Sequence, residues 1–179
     1  LQRIADALDA DAAVAMIGTG RTTMLILDLA APSADDVMLV TAAAGGIGSL
    51  LVQAGRNAGA TVVAAAGGAH KAALALSLGA SVAVDYDRPG WVDEVRTALG
   101  RAPVTTVYDG VGGAAGQAAL GLLGRGGRFV MYGWATGSPT ELDDTALARR
   151  AITVVRFQRP DDLRPLEDRA LAAAASGAL

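Results

Sequence analysis

The chain has no cysteine, a single histidine, His70, and a single lysine, Lys71, among 179 residues. With no thiol and one imidazole, it cannot build a structural zinc site, a disulfide framework or a thiol nucleophile from its own side chains. Its redox compartment is therefore unmarked. Like charges never run to five, and the formal net charge of −3 is spread over both signs. That leaves no electrostatic footprint for nucleic acid or an anionic membrane surface. The longest apolar stretches reach about ten residues before Gly, Thr or Asp breaks them, short of the roughly 20 that span a bilayer. No segment has the pattern of a secretory signal. The expectation is a cytoplasmic protein with neither nucleic acid nor membrane as a partner.

What is abundant is small and apolar. Hydrophobic residues make up 52% and charged residues 18%, with 40 Ala and 23 Gly, while 14 of the 15 basic residues are Arg. This composition buries a core and excludes disorder. From Val37 onward, short β-branched runs alternate with Ala/Leu segments at helical spacing, with Gly at nearly every junction. That alternation predicts βαβ units. Strands are expected at 37–41, 61–65, 82–85, 104–108, 128–132 and 152–157. Several are apolar on consecutive residues, as parallel strands covered on both faces are.

Ile47, Leu50, Leu51, Ala54 and Ala58 form one helical stripe, and Trp91, Val92, Val95, Ala98 and Leu99 another. Gly59, Gly79 and Gly100 follow helical segments where a left-handed cap has no room for Cβ. Strand, Gly-rich turn, helix, Gly, strand occurs at 37–65 and again at 104–133, as two mononucleotide-binding halves would give. Together these signals predict a doubly wound α/β domain, a Rossmann fold, with a six-stranded parallel sheet in the order 3-2-1-4-5-6. Residues 1–30 read as a linking helical segment, helical over 6–30 around the polar patch Gly18-Thr19-Gly20-Arg21-Thr22-Thr23. Residues 31–179 read as the dinucleotide-binding domain, closed by a helix over 161–176. Residues 1–13 read as the middle of a polypeptide, which predicts a longer parent and a substrate domain outside this chain.

The strongest motif is Val40-Thr41-Ala42-Ala43-Ala44-Gly45-Gly46-Ile47-Gly48, where a strand hands over to a helix, the context a dinucleotide fingerprint requires. A pyrophosphate can sit there only if main-chain N–H groups come close, which favours a residue without Cβ at Gly45. Gly48 then lets the helix pack tightly on the strand. The helix N-terminus offers partial positive charge and unpaired donors without any basic side chain. Ala43 stands where the first Gly of the strict pattern is usual. A Gly-rich turn that packs and binds nothing is the competing reading. Gly110-Val111-Gly112-Gly113-Ala114-Ala115 also fits the pattern after a strand, but the pyrophosphate loop normally follows the first strand of the domain. The second turn is therefore expected at the nicotinamide end.

About twenty residues after the glycines, NAD enzymes need a carboxylate for the ribose 2′-hydroxyl. Here the strand end reads Ala64-Ala65-Ala66-Gly67-Gly68-Ala69-His70-Lys71, with no acid, and Lys71 falls within reach of a 2′-phosphate. The prediction is NADPH rather than NADH. A solvated helix residue with no specific contact is the alternative for Lys71, and His70 reads as its exposed neighbour.

These residues resemble the cofactor domain of the medium-chain dehydrogenase/reductase superfamily, particularly its zinc-free quinone oxidoreductase branch. The resemblance runs through Gly20-Arg21-Thr22-Thr23, the Ala-Ala-Gly-Gly-Ile-Gly turn, Gly67-Gly68-Ala69-His70-Lys71, Leu78-Gly79-Ala80, Val84-Asp85-Tyr86, Tyr108-Asp109-Gly110-Val111-Gly112-Gly113 and Arg125-Gly126-Gly127-Arg128-Phe129-Val130-Met131-Tyr132-Gly133. It implies that Thr22 approaches the cofactor from the linking segment and that the backbone of Ala44, Gly45, Gly46 and Ile47 holds the pyrophosphate. It further implies that Gly67, Gly68 and Lys71 surround the 2′-phosphate and that Tyr86 lies along the adenosine end. Val111, Tyr132, Gly133 and Trp134 would border the nicotinamide. Tyr86 fits equally a surface aromatic, and Tyr132 a core one. Gly18 and Thr19 stand where zinc-containing members carry a metal-binding Cys.

The implied reaction of the parent is hydride transfer from NADPH to a quinone or activated alkene, with this chain alone inactive. Position by position, no catalytic acid or base can be named; Asp109 is expected to orient its turn. Two other readings stay open: an enoyl-reductase module of a multidomain synthase, and a non-catalytic dinucleotide-binding or sensing module. The edge of the strand at 152–157 predicts a homodimer, because an unpaired edge needs an answer.

Overall fold

The structure is a computed structural model that describes residue 4, residues 8–156 and residues 160–179. Six strands, β1 (Val37–Thr41), β2 (Thr61–Ala66), β3 (Val82–Asp85), β4 (Val104–Asp109), β5 (Leu123–Met131) and β6 (Thr153–Val155), form one sheet. All pairings are parallel and the order is β3-β2-β1-β4-β5-β6. The expected doubly wound arrangement is therefore present.

Alternation along the strands decides which side chain goes to which face. Leu39, Val63, Val107 and Phe129 enter one core with Val95 and Leu120. Met38, Val40, Val62, Tyr108 and Val130 enter the other with Leu51 and Val52. The first face is covered by α5 (Trp91–Leu99), α6 (Gly113–Leu122) and α7 (Asp144–Arg149), the second by α3 (Gly46–Asn57) and α4 (Ala69–Ser77). Burying each such side chain contributes on the order of 1.5–3 kcal/mol.

Before β1 the chain runs as α1 (Ala10–Ala15), a π-helical turn (Met16–Gly20) and α2 (Arg21–Leu29). A third cluster joins Ala13, Met16 and Met24 to Leu166, Ala170 and Leu171 of α8 (Arg164–Ala175). Gly20 makes the crossing close: a methyl carbon there would lie 3.1 Å from Ala170 Cβ. Ala10–Leu29 is 20 residues long with mean hydropathy 1.3, long and apolar enough by length and composition to cross a membrane. In this fold its apolar stripe faces α8 and the sheet instead.

Several boundaries differ from the expected ones. The strand expected at 128–132 starts at Leu123 and bulges: Leu123 pairs with Val104, but the next register pair is Arg128 with Thr106. Gly126, at φ 78, lets the extra residues loop out without leaving the sheet. The strand expected at 152–157 is Thr153–Val155; Phe157 lies outside the described residues, as does the start of the 6–30 helical segment. The closing helix of 161–176 is Arg164–Ala175.

Candidate functional site

The C-terminal ends of β1, β2, β4 and β5 meet where the strand order reverses, between β1 and β4. In open α/β sheets such a reversal creates a crevice for ligands. After β1, Ala42 takes a left-handed conformation (φ 49), and its carbonyl accepts a 2.8 Å hydrogen bond from Gly45 N–H. The turn then enters α3 at Gly45, with no side-chain cap and no acid in the first turn. The N–H groups of the first helical turn lack intrahelical partners, and Gly45 and Gly46 are exposed.

Gly48 is buried against the strand: a methyl carbon there would lie 2.3 Å from the Ala42 oxygen and 2.9 Å from Ala43 Cα. This is the close helix–strand approach expected of it. Ala43 takes the place of the usual first Gly without strain, because the left-handed residue is its neighbour Ala42. Gly46 faces the π-helical turn, whose Thr19 Cγ2 would be 2.7 Å from a methyl there. Thr22, one turn further on, is half-buried, and its hydroxyl donates to Gly18 O at 3.3 Å. The linking segment thus reaches the turn through Thr19, a contact the motif did not single out.

After β2, Gly67 and Gly68 are half-buried, Gly68 adopts φ 91, and α4 begins without a side-chain cap. Lys71 and His70 stand exposed on its first turn. Tyr86 packs its ring edge over Gly67, with its hydroxyl 3.3 Å from where a Gly67 methyl would lie. Burial, then the charges of Asp87 and Asp85, push the Tyr86 phenol above its ordinary value. Sequence reasoning found no acid along β2. Parallel pairing supplies one from β3, since Asp85 lies in register with Ala66 and accepts Gly68 N–H at 2.7 Å and Asp87 N–H at 3.0 Å. Reading the neighbouring strand's last residue alongside β2 is the signal that finds it.

Asp109, fully buried at the end of β4, organises the other half. Its Oδ1 accepts from Thr41 Oγ1 at 2.7 Å, Val111 N–H at 3.1 Å and Gly112 N–H at 3.2 Å, and its Oδ2 from Thr140 Oγ1 at 2.6 Å. It orients the turn, as expected, and brings in Thr140 and the side chain of Thr41, neither of which the motifs pointed to. Thr41 Oγ1 in turn accepts Gly110 N–H at 3.0 Å. Four donors converging on one buried carboxylate hold the turn in place.

The segment after β5 is strapped across α6. Gly113 N–H donates to Ser138 O at 2.9 Å, and Thr136 N–H to Val111 O at 3.0 Å. The N-terminus of α6 is thereby covered, whereas that of α3 is open; this separates the second Gly-rich turn from the first. Tyr132 donates its hydroxyl to Thr41 O at 3.1 Å, its ring 2.5 Å from where a methyl on Gly110 would lie. Burial holds its phenol far above the ordinary value. Tyr132 is thus a cross-brace between β5 and β1 at the crevice floor. Gly133 follows it, and Trp134 projects to solvent, 55% exposed. Ala44, Gly45, Gly46 and Ile47 are therefore gathered at one end of the crevice wall, Gly67, Gly68, Lys71 and Tyr86 beside the second strand, and Val111, Tyr132 and Gly133 beyond the reversal point.

The sequence profile of a family described as zinc-binding dehydrogenase matches residues 46–173. The chain belongs to the zinc-binding dehydrogenase family. Within it, the chain is the cofactor-binding domain of the quinone oxidoreductase-like branch of the medium-chain dehydrogenase/reductase superfamily. It is 37% identical over 106 residues to quinone oxidoreductase of Salmonella typhimurium, covering 59% of this chain and 32% of that protein. It is 33% identical over 123 residues to a mycocerosic acid synthase-like polyketide synthase of Mycolicibacterium smegmatis, covering 69% of this chain and 6% of that protein. The crystal structure of Escherichia coli quinone oxidoreductase complexed with NADPH superposes with a TM-score of 0.85 at 26% identity, over 99% of this chain and 57% of that one. The chain thus spans well under two thirds of these relatives. Among the described residues no group of three or more His, Cys, Asp or Glu could hold a metal ion.

Proposed function

We propose that this dehydrogenase domain binds NADPH across the β1/β4 crevice and serves a zinc-independent transfer of hydride to a quinone or activated alkene. The observation that carries this reading is the open N-terminus of α3, held against β1 by Gly48 and free of any side-chain cap. The backbone of Ala44, Gly45, Gly46 and Ile47 would hold the pyrophosphate, with the N–H of Gly45 itself engaged by the Ala42 carbonyl. Gly67, Gly68, Lys71 and Tyr86 would hold the adenosine ribose and its phosphate. Val111, Tyr132, Gly133 and Trp134 would border the nicotinamide, with Thr22 approaching from α2. The reduced nicotinamide, when bound, supplies the hydride. The chain's own part is to bind and orient, with Asp109 fixing the turn that the ring rests on; such orientation can be worth several kcal/mol. A whole protein of the relatives' length would supply the substrate-binding half, so the 179-residue chain is expected to bind cofactor without turnover. The assembly in this reading is a cytoplasmic homodimer paired along the outer edge of β6.

Titration calorimetry with each cofactor tests the reading. NADPH should bind more tightly than NADH, and Lys71→Ala should cost NADPH about 10- to 100-fold, the worth of a charge-assisted hydrogen bond. Equal affinities, or a Lys71→Ala variant unchanged toward NADPH, would overturn it. A second reading, an enoyl-reductase module, is favoured by the likeness to the polyketide synthase. Turnover of acyl-carrier-linked enoyl substrates, but not of free quinones, by the whole parent protein would select it.

A further inference from the structure

Two carboxylates, Asp85 at the end of β3 and Asp87 two residues beyond it, flank the Gly67-Gly68 turn assigned to the adenosine ribose, and they have different jobs. The Asp85 carboxylate is engaged: its Oδ1 accepts Gly68 N–H at 2.7 Å and Asp87 N–H at 3.0 Å. This pair of hydrogen bonds from the main chain holds residues 85–87 back toward the β2 turn. The Asp87 carboxylate is thereby brought over Gly67, where a methyl carbon would lie 2.9 Å from its Oδ2 and 3.3 Å from the Tyr86 hydroxyl. Gly67 has no side chain to screen it. Asp87 is exposed and forms no ion pair among the described residues. Lys71, also exposed, stands on the first turn of the helix that this same glycine pair opens.

We infer that Asp87 is a specificity-determining residue: its carboxylate takes the place of the acid missing from β2, opposing a 2′-phosphate and limiting the preference that Lys71 confers. The inference rests on the reading that the ribose end of a dinucleotide lies over Gly67, Gly68 and Lys71. A 2′-phosphate carries between one and two negative charges at neutral pH. A carboxylate a few Å from it repels through partly aqueous surroundings, weakening binding by roughly fivefold or more. A ribose 2′-hydroxyl in the same place meets an acceptor instead.

The test is calorimetric titration of NADPH and NADH into the full chain and its variants. Asp87→Asn should tighten NADPH by about fivefold and raise the ratio of NADH to NADPH dissociation constants by at least as much. Asp87→Lys should raise it further, and both gains should shrink in high salt. Asp93→Asn, the same charge change on an exposed residue of α5, should leave the ratio unchanged. If Lys71→Ala weakens NADPH but Asp87→Asn changes nothing, Asp87 has no such role. An equal gain from Asp93→Asn would also overturn the inference, reducing it to net charge. If neither Lys71→Ala nor Asp87→Asn alters NADPH binding, the ribose does not lie over this turn, and the functional reading falls with the inference.

Discussion

A methyl group added to Gly48 would lie 2.3 Å from the Ala42 carbonyl oxygen, whereas one added to Gly45, three residues earlier, would be 3.2 Å from the same atom. The two glycines should therefore fail differently. Gly48→Ala forces α3 away from β1 and should lower stability by about 1–3 kcal/mol, read as an earlier denaturant midpoint. Gly45 has φ −80 and ψ 170, an extended geometry open to any residue. Gly45→Val should leave the midpoint nearly unchanged while abolishing binding of both cofactors, because its branched side chain would stand where a pyrophosphate must approach the N–H groups. Binding undiminished in Gly45→Val would contradict the assignment of this turn. These two residues are legible in the sequence because a strand, a Gly-rich turn and a helix follow one another there. Asp85, Asp87, Thr41 and Thr140 are not, since their contacts cross between strands or reach 31 to 68 residues along the chain.

At the scale of an element, the strap 133–140 depends on Asp109. Thr140 supplies the only side-chain donor to Oδ2, at 2.6 Å, among the described residues, and both groups are buried. Thr140→Val should leave that oxygen unpaired at a cost of about 1–3 kcal/mol. Faster hydrogen exchange at Gly113 and Thr136, whose N–H groups bond across the strap, would localise the loss; exchange unchanged there would separate Asp109 from the strap. Gly116 shows how closely the pieces fit, as a methyl on it would lie 2.1 Å from Thr140 Oγ1. Among the elements, strands and long helices could be read from their periods of two and 3.6. The early start of β5 could not, because Gly124-Arg125-Gly126-Gly127 has the composition of a turn, has no register partner on β4 and bulges out between the pairs made by Leu123 and Arg128, with Gly126 N–H donating to Arg150 O at 2.9 Å. Nor does composition reveal the π-helical turn at Met16–Gly20; packing of Gly20 against α8 and of Thr19 against Gly46 accompanies it.

Across the whole molecule, the end of the sheet opposite the crevice is stapled by Asp36, ahead of β1. It accepts from Thr105 Oγ1 at 2.6 Å and pairs with Arg128 Nη2 at 3.3 Å. Desolvation works against its charge, but hydrogen bonds from Thr105 and Ser33 and the Arg128 guanidinium hold its carboxyl below the ordinary carboxylate range. A carboxyl whose folded value is depressed contributes stability that is fully present above the unfolded value, about 3.9, and is lost as pH falls through the folded value. Urea midpoints should therefore hold steady from neutrality to near pH 4 as far as this residue is concerned, then fall. Asp36→Asn should start lower and lose less on acidification. An identical acid limb in both would show that Asp36 is uncoupled from global stability. Strand order was readable from the sequence at this scale because parallel crossovers are right-handed and the Gly-rich turn marks the first strand. The Asp36–Arg128 pair, 92 residues apart, becomes visible only once that order brings β1, β4 and β5 together.

The scarcity of lysine has a practical side. Lys71 is the only side-chain amine in the chain and it is exposed, so an acylating reagent that leaves guanidinium groups untouched has one side chain to mark. That mark falls beside the glycine pair at the mouth of the proposed ribose pocket. Shielding of that one side-chain amine, read as the acylated fraction of the peptide that carries Lys71, thus becomes a direct count of how many molecules hold a ligand there.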